Sequence, residues 1–217
     1  MEKEIEKKYE ALTFKDYMSL SIRTMPTVLE GLTKHTTINV NETGKPSLDT
    51  MDYIENIFMA ADRIHMAAGV VSETLELLDA TDRINVGEEL ADKCWYLSGL
   101  LFLNNHRAVN HLFNFKFETN FDGSIPKWND LLKQLALLDH KIIDSAKKEL
   151  AYNSDNNIIN EVIEDYLVLI NEFANLFKID MNEALANNIN KLYVRFPDKF
   201  TQENAIYRNI EAERKVL

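Results

Sequence analysis

The sequence predicts an all-α protein, because helix formers dominate, glycine and proline are scarce, and apolar residues recur at helical rather than strand spacing. Six Gly and four Pro punctuate 217 residues, and neither type occurs between Pro126 and Pro197. At 46% hydrophobic, the chain is long enough for one packed core and one domain, 1–217. The expected architecture is an antiparallel helical bundle with its core in 49–105 and 156–217, and 106–155 inserted between core helices.

A first helix is expected over 3–24, ending before Pro26, then a short one over 27–34 and a loop over 36–46. After Ser47 the apolar positions Ile54, Ile57, Ala61, Ile64, Ala68, Val71, Leu75 and Leu78 alternate steps of three and four, one stripe along a long helix. The polar stretch 79–87 breaks it, and Asn85 followed by Glu88 resembles a capping box that opens the next helix, to about residue 105. A looser stretch over 106–127 carries Gly123 and Pro126, and a helix over 129–150 follows with Leu131, Leu135, Leu138 and Ile142 on one face. Ile159, Val162, Ile163, Tyr166, Ile170, Phe173 and Phe177 mark another buried face. Asp180 caps a helix over 181–196 that Pro197 terminates, and a last polar helix spans 201–214, opening on Thr201-Gln-Glu-Asn.

Charge and cysteine usage narrow the function classes. Lys plus Arg total 24 against 35 Asp plus Glu, and a formal charge of -11 weighs against nucleic acid or an anionic membrane as the main partner. A phosphorylated ligand held through a metal stays open. The single Cys94 excludes an internal disulfide and a cysteine-rich zinc site, and it fits a reducing compartment. The charged start lacks the apolar stretch of a secretory signal, and the longest apolar run, 94–103, is about half a bilayer span. A cytoplasmic location is expected.

The chemistry-bearing feature is a pair of acidic pairs, Glu73-Thr-Leu-Glu76 and Glu89-Leu-Ala-Asp92, on consecutive helices. Residues three apart on a helix are neighbours, so each pair projects from one face, and a short antiparallel hairpin brings the two faces together. With 35 acids in 217 residues, roughly five or six such pairs arise by chance, so one pair carries nothing. Two pairs on adjacent apolar helices carry more, because clustered carboxylates either protonate or bind cations, and oxygen-only ligation suits Mg²⁺ or Mn²⁺. The plain alternative is two solvated acidic faces.

The segment Ser72-Glu73-Thr-Leu-Glu76-Leu-Leu, followed by Glu88-Glu89-Leu-Ala-Asp92-Lys93-Cys-Trp95-Tyr96-Leu, resembles the E-x-x-E, then E-x-x-D signature of the MazG-like all-α nucleoside triphosphate pyrophosphohydrolases. A second stretch is similar to their C-terminal segment: Ile179-Asp180-Met-Asn-Glu-Ala-Leu185, Asn188-Ile-Asn-Lys191-Leu, and Arg195-Phe-Pro197-Asp-Lys-Phe200, with Arg208-Asn-Ile-Glu-Ala-Glu213 beyond. The likeness covers about 49–105 and 173–217. It implies a MazG-like bundle that holds Mg²⁺, with Mn²⁺ as the alternative, on Glu73, Glu76, Glu89 and Asp92. Water would then attack a bound triphosphate to give a nucleoside monophosphate and pyrophosphate. A homodimer or homotetramer is implied too.

Asn188, Lys191 and Arg195 share one helical face and are the candidate phosphate ligands, with Lys93 beside Asp92 a further one. His65, Trp95 and Tyr96 are candidates to line a base pocket, although such residues are more often packing elements. Arg208 and Arg214 are candidates to reach a neighbouring subunit's site, although exposed terminal arginines usually do nothing specific. His35, His106, His111 and His140 show no ligand spacing. A di-iron carboxylate bundle needs two Glu-x-x-His units, and only Asp62-Arg-Ile-His65 approaches one. The non-enzymatic alternative is a catalytically silent nucleotide- or metal-binding frame, or a helical interaction module.

Overall fold

The computed structural model describes residues 13–24, 48–104, 115–119, 128–152 and 158–216, the side chains of 48–56 and 158–160 excepted. These residues form eight α-helices and one 3-10 turn, with no strand among them. The expected elements over 3–12, 27–34 and 36–46, and most of 106–127, lie outside the described residues.

Helix α1 (Phe14–Ser21) opens on a capping box rather than continuing from residue 3: Thr13 is extended, its hydroxyl accepts the Asp16 N–H at 3.2 Å, and the Asp16 carboxylate accepts the Thr13 N–H at 3.1 Å. A 3-10 turn (Ile22–Thr24) follows. Helices α2 (Leu48–Asp79) and α3 (Arg83–Leu103) are joined by three residues. The break is shorter than the sequence predicts, and its cap sits earlier: Asp82 is extended and its carboxylate accepts the Asn85 N–H at 2.9 Å, so Asn85 lies inside the first turn instead of capping it.

Helices α2 and α3 run in opposite directions, since Arg63 reaches the Leu103 carbonyl at 2.8 Å while Lys93 reaches Thr74 at 2.7 Å. Between those contacts the Tyr96 ring lies directly on Gly69, where an added Cβ would come within 2.1 Å of a ring carbon. Glycine at 69 is what lets the two helices approach at the level of the acids.

The buried face of α2 differs from the stripe its periodicity marks. Ala60, Met66, Ala67, Val70, Glu73, Thr74 and Leu77 are buried, whereas Ile57, Ala68, Leu75 and Leu78 are exposed, Leu75 to 61%. Ile64 and Val71 are partly buried. The helix is apolar on more than one face, so periodicity finds a stripe without showing which one meets the core. The face chosen is the one whose polar members, Glu73 and Thr74, find partners on α3.

Helix α4 (Trp128–Tyr152) buries Leu131, Leu135, Leu138 and Ile142, as the sequence predicts, and packs on both α2 and α5 (Ile158–Phe177). The stretch read as an insertion therefore supplies part of the same core. On α5, Val162, Ile163, Tyr166, Ile170 and Phe173 are buried, and the Trp128 ring meets Phe173 and Phe177 edge-on at 5.5 and 5.4 Å. Residues 115–119 strap α1 to α5: the Phe14 N–H donates to the Phe115 carbonyl at 3.2 Å, and Glu118 N–H donates to Asn171 at 2.9 Å.

A left-handed Lys178 (φ 57°) turns the chain from α5 into α6 (Met181–Arg195). Asp180 caps α6 as expected, accepting the Asn182 N–H at 2.9 Å. Leu185, Ile189 and Leu192 are buried, and the helix ends before Pro197. The expected last helix is two short ones, α7 (Gln202–Ile206) and α8 (Ile210–Arg214), because Asn209 caps anew by accepting the Ala212 N–H at 3.1 Å. Among the described residues no helix is long and apolar enough to cross a membrane.

Candidate metal centre

The α2–α3 pairing brings three of the four predicted acids to one point: ligand oxygens of Glu73, Glu76 and Glu89 lie within 4.8 Å of one another. Glu73 and Glu89 are buried, while Glu76 is exposed, so the group has one open side. Burial raises the Glu73 carboxyl to about 9, and the charges of Asp92, Glu76 and Glu89 push it the same way. Burial, then Asp92, raises Glu89 to about 7. Raised this far, the Glu73 carboxyl keeps its proton at neutral pH when no cation is present. An all-oxygen donor set on a buried, mutually repelling group fits a hard divalent cation such as Mg²⁺.

Asp92, the fourth acid, is half-buried and turned towards α6 instead of joining that group. Asn188 donates to one of its oxygens at 2.5 Å, and the Lys191 ammonium donates to the other at 2.5 Å. Lys191 is buried, also meets Glu88 at 3.0 Å, and is held charged because these two acids outweigh the burial that opposes it. The Asn188 side chain is oriented in turn by the buried Tyr17 hydroxyl, 2.7 Å from its oxygen. Tyr17 and Glu88 are members of this network that sequence reasoning missed. Nothing local signals Tyr17, since its partner lies 171 positions away; Glu88 sits in plain view beside Glu89.

Lys93 is fully buried and packed behind the acids. Its ammonium donates to the Val70 carbonyl, to Thr74 at 2.7 Å and to Asp139 at 3.4 Å, and it lies 5.2 Å from the Tyr166 ring centre. Tyr166 donates to the same Asp139 oxygen at 2.6 Å. Burial lowers the Lys93 ammonium to about 8, against the pull of Asp139. This residue ties α2, α3, α4 and α5 together.

Arg195 stands one turn beyond Lys191, and both its Nε and Nη2 donate to Glu213 of α8, at 3.1 and 2.5 Å. Arg208 grips the same carboxylate at 3.4 and 2.7 Å. The two guanidiniums hold the Glu213 carboxyl at about 2 despite its burial. Arg214 is exposed.

The aromatic candidates cluster around Tyr96 on α2 and α3. The Trp95 indole donates to Thr24 at 3.0 Å, fastening α3 to the 3-10 turn, and meets Tyr96 edge-on at 4.7 Å. Burial and the nearby Glu73 raise the Tyr96 hydroxyl to about 12. His65 is exposed, with its ring centre 6.5 Å from that of Tyr96, and Asp62 on the same helix is buried. An open cavity of about 370 Å³ lies between the starts of α3 and α6, lined by Gly87, Glu88, Ile179, Glu183 and Asn188 among others. Comparison with models of known families, with curated proteins and with solved structures finds no match, so function is argued from residues and geometry.

The raised carboxyls predict a pH dependence of stability. Both groups ordinarily titrate at 4.5, so between pH 5 and 8 the folded chain binds more protons than the unfolded one, and stability falls as pH rises. Their contribution is complete below 4.5 and is lost as pH rises through about 7 and 9. Urea unfolding with a chelator should show the midpoint dropping from pH 5 to 8, with Glu73→Gln flattening the slope. An equal slope in the variant would show that the acids are solvated.

Proposed function

We propose that the chain is a cytoplasmic, Mg²⁺-dependent nucleoside triphosphate pyrophosphohydrolase of the MazG-like kind, releasing a nucleoside monophosphate and pyrophosphate. The observation that carries this reading is the convergence of Glu73, Glu76 and Glu89 within 4.8 Å, two of them buried. Divalent ions bound there would neutralise a polyphosphate and lower the pKa of a bound water, with Mn²⁺ able to replace Mg²⁺. The three carboxylates hold and orient, and one of them takes the proton of the attacking water. Asp92, fixed by Asn188 and Lys191, completes the acidic wall on its α6 side and is the fourth candidate ligand. The reaction needs no side-chain nucleophile, which suits a site whose nearest thiol, Cys94, is fully buried.

A silent metal-binding frame is the second reading, favoured by the cations on α6: Lys191 and Arg195 are already paired with acids. Turnover separates the two. With a panel of NTPs and dNTPs in Mg²⁺, pyrophosphate should be the first phosphate product, and Glu73→Ala should lower the rate by at least about 10³-fold, from several kcal/mol of lost transition-state stabilisation. Orthophosphate as first product, or full activity in the variant, would contradict the enzymatic reading.

The apolar stripe of α2, exposed at Ile57, Ala68, Leu75 and Leu78 and partly buried at Ala61, Ile64 and Val71, supports a homo-oligomer of two or four chains. Its steps of three and four average 3.5 residues, the repeat that keeps an apolar seam facing a partner helix. Sedimentation should give at least a dimer, with Leu75→Glu shifting it to monomer; a monomeric parent chain would count against this arrangement.

A further inference from the structure

The C-terminal segment is attached in an unusual way. A terminal helix ordinarily docks through an apolar stripe. On α7 no residue is buried, and on α8 the sole buried residue is charged: Glu213. Ile206, Tyr207 and Ile210 are exposed to 71, 79 and 53%. Among the described residues the salt bridge that ties this segment to the rest of the fold is Glu213 with Arg195 of α6, and Arg208, within the segment itself, grips the same carboxylate.

Both arginines lie on the α6 side of the acidic centre. Arg195 is one turn from Lys191, whose ammonium is 2.5 Å from Asp92. Arg208 shares the Glu213 carboxylate with Arg195. Lys93 is packed into the core and Lys191 is clamped between two acids. Arg195 and Arg208 are thus the cations that an anion at the centre can reach by displacing a single group. Guanidinium forks bind phosphoryl and carboxylate oxygens by the same two-point geometry, and a phosphoryl group brings the greater charge.

We propose that Arg195 and Arg208 form a phosphoryl-binding subsite that Glu213 fills in the resting chain, so that a polyphosphate at the acidic centre displaces Glu213 and releases α8. The ligand class rests on the pyrophosphohydrolase reading. The segment 201–216 then acts as a latch: closed, it keeps the arginines compensated beside an acidic wall; open, it yields them to the substrate's phosphates.

The test uses the full chain in Mg²⁺ with inorganic tripolyphosphate, which has no nucleoside. Saturating tripolyphosphate should speed amide hydrogen exchange in 209–216 of the parent chain. Glu213→Gln, which keeps the side chain's shape and removes its charge, should bind tripolyphosphate about tenfold more tightly by calorimetry. Arg208→Gln, which leaves the Arg195–Glu213 pair in place, should bind it about tenfold more weakly while its Mg²⁺ affinity stays unchanged. Unchanged or slower exchange in 209–216, or unchanged affinity in folded Arg208→Gln, would overturn the latch. Turnover of NTPs without any change in exchange would remove the latch and leave the enzymatic reading standing; release of α8 by tripolyphosphate without NTP turnover would do the reverse.

Discussion

Mutual repulsion among carboxylates is the constraint around which this protein is arranged. Two unit charges at the separation of Glu73, Glu76 and Glu89 repel by about 3–4 kcal/mol at an effective dielectric constant near 20. An exposed ion pair returns roughly 0–1 kcal/mol, too little to offset even one such term. The fold answers by giving each acid its own compensation. Asp92 and Glu88 take Lys191, Asp92 also takes Asn188, Glu213 takes two arginines, and Glu73 and Glu89 are left with raised carboxyls that hold a proton or accept a cation. Among the described residues no basic side chain hydrogen-bonds that pair, because Lys93, the cation of α3 at that level, is taken by Val70, Thr74 and Asp139. The uncompensated charge is what makes it a candidate cation site.

The supporting helices serve this arrangement at different rigidities. Tyr17 from α1 fixes the Asn188 amide, and the Lys93–Asp139–Tyr166 cluster locks the helices behind the acids. These contacts are buried, and removing one partner of such a charged pair costs about 3–5 kcal/mol, so the back wall is stiff. The C-terminal segment is held through the buried Glu213 carboxylate, with Arg195 18% and Arg208 42% exposed in their side chains, so water reaches this tether from the Arg208 side. A buried back wall beside an ionic tether that water reaches on one side is what the proposed latch requires.

Much of this was legible in the sequence, for reasons that differ from one element to the next. The helices over α4, α5 and α6 follow from strong one-sided periodicity, and the Asp180 cap and the stop before Pro197 are local chemistry. The acidic pairs were legible because three-residue spacing sets a helical face regardless of tertiary context. The buried face of α2 was not, because that helix is apolar on two sides and the choice between them was made by Glu73 and Thr74 finding partners. The partners of Asp92 and Arg195 were equally hidden. Spacing placed Asn188, Lys191 and Arg195 on one face, but only the packing of α6 on α3 shows that two of them meet Asp92 while the third meets Glu213.

Glu73, within 4.8 Å of Glu76 and Glu89, holds a proton that a divalent cation replaces. Calorimetric titration of the metal-free chain with Mn²⁺ or Mg²⁺ near pH 7.5, in buffers of different ionisation enthalpy, measures this directly. The account predicts release of about one proton per bound ion, with both binding and release lost in Glu73→Gln. Binding without proton release, or binding that survives the substitution, would contradict it.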